Sequence, residues 1–301
     1  MTDISVLNAR YGIPGQLGVQ VGAGQLAVVK VTNSRATATI ALQGAQVVHW
    51  APVGQHPVIW LSGAARFASG KSIRGGIPLC WPWFGPHPTE PAFPAHGFAR
   101  TSPWGILETQ ALADGAMRIA LRLTHSDATR ALWPHAAELE CHITVAAALE
   151  IDLVTRNSSS ESITIGEALH TYFEVSDVRR IRIEGLEGCH YLDKVDGGRR
   201  RQQVGPVTFA AETDRIYLDT VADCLIDDPG LARRIRIRKR GSRSTVVWNP
   251  WIEKAARMGD LGEDGYLHMV CVETANAADD VVTIPPGAEH HLAVRYELEP
   301  R

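Results

Sequence analysis

No stretch of eighteen consecutive apolar residues occurs in the chain, so nothing in it reads as a membrane-spanning helix. Lysine is scarce, with five against 25 arginines, and the formal charge is −3. No basic excess exists to neutralise a polyphosphate backbone, which argues against nucleic acid as a partner. Cysteine is sparse and unpaired in pattern: Cys80, Cys141, Cys189, Cys224 and Cys271 form no CxxC motif. Zinc-ribbon and thioredoxin readings therefore lack support, and the usage fits a reducing compartment. The opening residues MTDISVLNARYG show no charged segment followed by an apolar one, so no secretory leader is expected and the reading places the protein in the cytoplasm. Long amphipathic helices are also wanting. The best helical stretch is the short WIEKAARMGD after Pro250.

What the chain does have is apolar alternation of period two. Leu26 to Val31, Ala36 to Leu42, Ala45 to Trp50, Met117 to Leu123, Leu139 to Val145, Leu149 to Thr155 and Ile163 to Ala168 read as strands. So do Arg215 to Asp219, Thr245 to Trp248, His268 to Glu273, Val281 to Ile284 and His291 to Leu298. The runs from Arg179 and Arg233 alternate arginine with isoleucine, as half-buried strands with a cationic outer face would. Many strands without crossover helices predict an all-β fold, a large antiparallel β-sandwich. Neither an internal repeat nor a low-complexity linker divides the chain, so one domain over residues 1–301 is expected.

Two nucleotide-binding look-alikes fail on context. Gly22 to Ala27 spells GxGxxA but runs into a strand, not a helix, and Gly70-Lys71-Ser72 is followed by IRGGIP.

Residues 68 to 103 break the local rules. Six prolines fall between Pro78 and Pro94, so neither a helix nor a central strand can pass. Yet Trp81, Trp83, Phe84, Phe93 and Phe98 crowd the same stretch, which argues against disorder. Flat aromatic faces suit the C–H faces of a sugar ring. Arg74 and Arg100 flank the segment and could hold a phosphate through paired N–H donors, and His96 sits within it. Elsewhere, His170 ends a strand run and Glu273 follows the apolar LHMVCV, so the two could emerge into one cleft as an acid/base pair.

The set of motifs resembles one family. SIRGGIPLCWPWFG from Ser72 and PAHGFAR from Pro94 are similar to the hexose-6-phosphate mutarotases, also called glucose-6-phosphate 1-epimerases. LHTYF from Leu169, TDRIY from Thr213, WNPW from Trp248 and VETAN from Val272 resemble the same family in the same order. The resemblance implies a galactose-mutarotase-like sandwich and carries roles onto matching positions. His170 is implied as general acid and Glu273 as general base; Arg74 and Arg100 as substrate-binding, through the 6-phosphate; Asp214 and His96 as substrate-binding. Some relatives carry glutamine where this chain has Ala95, a contact that Lys71 could replace.

Interconverting two anomers through the open aldehyde moves protons only, so neither metal nor organic cofactor is expected. Glu273 suits the base when ionised at an ordinary pKa of about 4.3, and His170 the acid near about 6.5. A monomer acting on hexose 6-phosphates is the resulting expectation. Its rivals are an aldose 1-epimerase working on free sugars and a sugar-phosphate-binding protein without turnover. A metal triad of His96, His170 and Glu273 is disfavoured because closely spaced HxH or HExxH pairs are missing.

Overall fold

The computed structural model describes residues 3–301. Two eight-stranded sheets dominate, both antiparallel. The first runs edge to edge as Arg182–Glu184, Cys224–Asp228, Arg233–Arg240, Glu289–Pro300, Leu149–Asn157, Ala137–Val145, Met117–Leu123 and Trp104–Ala111. The second runs Arg199–Gln202, His190–Asp193, Thr213–Tyr217, Ser244–Asn249, Met269–Asn276, Glu167–Leu169 and Leu79–Cys80, with Tyr172–Glu174 also paired to Met269–Asn276. A four-stranded sheet, Leu17–Val21 to Gln46–Pro52, packs beside them, and Ile163–Ile165 pairs with Val282–Ile284. Leu121, Leu139, Cys141, Ile151, Leu153, Phe173, Val272 and Tyr296 are fully buried between the sheets. This is the antiparallel all-β architecture that the period-two pattern predicts. Among the described residues no helix is long and apolar enough to cross a membrane.

Several elements differ from the sequence reading. The run from Arg179 is strand only over Arg182–Glu184, because Arg179 turns back onto Asp177. Ile163 to Ala168 splits into two strands at Gly166, and each half joins a different sheet. In Arg233–Arg240 the outer face of Arg234, Arg236, Arg238 and Arg240 is cationic, and the first residue falls on the inner face with Ile235 and Ile237. Arg233 is buried and donates to the carbonyls of His56, Pro57 and Glu174, closing a loop end that would otherwise hold bare acceptors.

The proline-rich segment is ordered by its aromatic side chains. Trp81, Trp83, Phe98 and Trp104 are buried, and the indole N–H groups donate to Thr155 Oγ1 (3.1 Å), Pro94 O (2.9 Å) and Ala99 O (3.0 Å). Most of the aromatics proposed as a sugar platform therefore serve the core, and Phe84 alone of that loop's large aromatics faces the cleft described next.

Candidate active site

A cleft of about 530 Å³ opens on the second sheet, within the roughly 300–1,000 Å³ usual for small-molecule sites. Strand alternation builds its floor. Leu169 faces Thr274 and Tyr172 faces Cys271, and the register between them sets His170 opposite Glu273. The next strands extend the row, with Val246 beside Glu273, Ile216 beside Val246 and Leu192 beside Ile216. A parallel row carries Tyr172, Cys271, Trp248 and Asp214. At His170 the backbone leaves the ladder, its N–H donating to Pro78 O at 3.0 Å. This turns the imidazole towards Glu273, with Nε2 at 3.4 Å from Oε1.

All six residues singled out from the sequence line this cleft: Arg74, His96, Arg100, His170, Asp214 and Glu273. Lys71 is exposed and does not line it, whereas Lys194 and Lys254 do. Lys254 comes from the helix Trp251–Met258 and reaches Glu212 at 2.7 Å and Asp214 at 3.9 Å. Sequence reasoning passed over both lysines, together with Tyr172, Trp248 and Asp260. For Tyr172 and Trp248 a signal existed, since both lie inside motifs that carry the resemblance; for Asp260 there was none.

The arginines differ in their freedom. The Arg74 guanidinium donates through Nε to Asp260 Oδ1 (3.1 Å) and through Nη1 to the Tyr172 hydroxyl (3.0 Å). Arg100 is tied only by Nη2 to the carbonyl of Ala95 (2.9 Å). The residue at position 95 thus contributes its backbone. His96 adopts φ 66°, a left-handed conformation that costs a non-glycine residue energy and is retained at sites that over-determine it. Its Nδ1 accepts from the Gly85 N–H, so the neutral ring carries its proton on Nε2. Burial, with Arg100 and Arg74 nearby, pushes its pKa down to about 3, and it stays neutral across the physiological range.

The protonation expected from ordinary pKa values is corrected by burial. Glu273 is 2% exposed, and burial, reinforced by Asp214, pushes its carboxyl well above the usual range. Burial, together with His96, Arg100 and Arg74, pushes His170 well below an ordinary imidazole. Neither group favours a charge of its own, because an ion taken out of water loses more solvation than a distant countercharge returns. Burial thus favours the neutral imidazole and the protonated carboxyl over the separately charged forms. Passing one proton between them gives imidazolium and carboxylate at no change in net charge.

His170, Cys271 and Glu273 bring nitrogen, sulfur and oxygen atoms within 4.8 Å of one another, and these are the side chains that could hold a thiophilic metal ion. The Cys271 thiol, pushed well up by burial, would have to lose its proton first. His96 is not in that group, unlike in the triad weighed from sequence. A larger groove of about 720 Å³ crosses the outer face of the first sheet. Its arginines Arg295 and Arg238 already engage Glu150, Glu297 and Asp223, the pattern of a solvated ion-pair ladder.

Comparison with known proteins identifies similar chains and a similar fold. The aldose 1-epimerase family model matches residues 27–297. A protein of Escherichia coli K12 provisionally named glucose-6-phosphate 1-epimerase is 39% identical over 256 residues, covering 85% of each chain. Its similarly named counterpart from Salmonella typhimurium is 38% identical, covering 84% of each. A crystal structure of YeaD from Salmonella typhimurium, provisionally described as a mutarotase, superposes with a TM-score of 0.90 at 34% identity, over 97% of this chain and 96% of that one.

Proposed function

The chain belongs to the aldose 1-epimerase family, and we propose that it interconverts the α and β anomers of hexose 6-phosphates, chiefly glucose 6-phosphate. The observation that carries this reading is a buried His170–Glu273 pair, Nε2 3.4 Å from Oε1, at the floor of a cleft edged by Arg74, Arg100, Lys194 and Lys254. The pair supplies an acid and a base 3.4 Å apart, and the cations supply a pole for a dianion away from the reacting carbon.

In its imidazolium–carboxylate form, Glu273 takes the proton of the C1 hydroxyl while His170 protonates the ring oxygen. The C1–O5 bond breaks and an open-chain aldehyde forms. After rotation about C1–C2 the C5 hydroxyl attacks the other aldehyde face, and both protons return. Arg74 and Arg100 disfavour a charged His170 in the free protein. A 6-phosphate lying against them offsets that effect, so the substrate itself promotes the reactive form. His96, neutral and with its proton on Nε2, and Asp214, between Lys194 and Lys254, are positioned to hold sugar hydroxyls.

The substrate assignment is tested by Arg100→Ala, which removes a cation whose side chain makes a single hydrogen bond, to Ala95 O. KM for glucose 6-phosphate should rise by about 30- to 100-fold, the weight of a charge-assisted contact of roughly 2–3 kcal/mol. KM for free glucose should stay within a few-fold. Equal effects on both sugars would remove Arg100 from phosphate binding.

A second expectation concerns pH. With His170 held well below its ordinary range, its imidazole stays neutral on both sides of pH 6.5 in the free protein. In the ligand-free protein, the His170 ring resonances followed by NMR should cross that pH without a titration shift. An inflection near 6.5 would mean that His170 titrates as a solvent-exposed imidazole.

A further inference from the structure

We propose that Tyr172 is the positioning residue that fixes the plane of the His170 imidazole and ties it to the guanidinium of Arg74; this rests on the assignment of His170 as the acid. A working histidine usually has its second ring nitrogen held by a carboxylate or carbonyl. His170 has no such partner. Its buried Nδ1 makes no hydrogen bond to any other residue, so that ring plane must be set by something else.

The rings around it supply the constraint. Tyr172 stacks on His170 with centroids 5.0 Å apart and planes 12° from parallel. Trp60 stacks on Tyr172 at 5.9 Å and 21°, and Trp248 meets both rings edge-on at 6.0–6.1 Å. Within this aromatic box His170 can slide little without losing a stacking face. Tyr172 is itself anchored. It pairs in the ladder with Cys271, two residues from Glu273, and its hydroxyl accepts from Arg74, whose Nε is held by Asp260. One side chain thus spans from the anion-binding guanidinium to the acid, and its two ends have separable effects.

The test compares Tyr172→Phe and Tyr172→Leu in the full chain, with kinetics on glucose 6-phosphate and NMR of histidine-labelled protein. Tyr172→Phe keeps the stack and frees Arg74, so kcat should stay within about threefold while KM rises about tenfold. Tyr172→Leu removes the ring, so kcat should fall about 10²-fold, the scale of an acid misplaced by about 1 Å. In the NMR spectrum the His170 ring protons should carry an upfield ring-current shift in wild type and in Tyr172→Phe, and lose it in Tyr172→Leu. Wild-type kcat in Tyr172→Leu, or an unmoved His170 signal, would overturn the proposal. Should the leucine variant fail to fold, a fall of more than about tenfold in kcat for Tyr172→Phe would overturn it equally, since the ring is still present. If the wild-type protein exchanges no anomers, the function is wrong, and the His170 ring-current shift by itself decides whether Tyr172 sets the imidazole.

Discussion

Glu273→Gln is expected to lower kcat for anomer exchange by about 10²- to 10⁴-fold, the usual contribution of a positioned base, and at pH 7 to raise Tm by a few degrees. The two effects have one cause. In the unfolded chain Glu273 is an ordinary carboxyl with a pKa near 4.5, and at pH 7 it releases its proton to water. In the folded protein burial keeps the proton on, so ionisation favours the unfolded state throughout the interval between 4.5 and the raised folded value. Glutamine fills the same space and cannot ionise, which removes that penalty. Below pH 4.5 both states hold the proton, and the advantage of the variant should vanish. Calorimetry at pH 7 and pH 4 checks the sign, and kinetics with a glucose 6-phosphate binding titration checks the role. A variant inactive, tight-binding and more stable only at the higher pH is the expected result. Lower stability at pH 7 would mean that Glu273 is ionised and well paired in the fold. The active site is in this sense a local burden that the surrounding sheets carry.

Gly97→Ala should destabilise the fold by about 3 kcal/mol or more and disable the cleft. Gly97 holds φ +69°, and a Cβ built there would lie 1.9 Å from the carbonyl oxygen of Trp81 and 2.3 Å from its carbon. That carbonyl accepts from Phe98 N–H, and the indole of Trp81 is fully buried against Thr155, so it cannot yield. The strain would pass to the neighbours, His96 and Arg100, both of which line the cleft. Gly54→Ala is the control. Gly54 also has positive φ, at +76°, but has nothing within 4 Å of the added carbon, so only the backbone term of about 1–2 kcal/mol applies. Urea midpoints for the two variants should differ accordingly. Equal midpoints would show that the loop accommodates the methyl group.

The alternation of Arg233–Arg240 or Met117–Leu123 is legible because one face meets the core and the other meets water. Legibility failed where that contrast is missing. Cys224–Asp228 is buried at every position, with Asp227 and Asp228 drawn in by Arg182, Arg234 and Arg301 and by Ser176. Arg199–Gln202 is exposed at every position and exists only because His190–Asp193 offers it an edge. The site was legible as residue types, since histidine, glutamate and arginine carry recognisable chemistry wherever they fall. The proton distribution was not, because pKa shifts come from burial, and burial follows from a register linking residues a hundred positions apart. Tyr172 lay inside the LHTYF motif, but its role comes from a stack on His170 that the motif does not reveal.

The most direct test of the account is magnetisation exchange between the α and β H1 resonances of glucose 6-phosphate and of free glucose, at matched concentrations of the wild-type protein. Exchange far above the uncatalysed rate on the phosphate, and much weaker on glucose, is the predicted result. No enhancement on glucose 6-phosphate, in a protein that nonetheless binds it, would contradict the account at its centre.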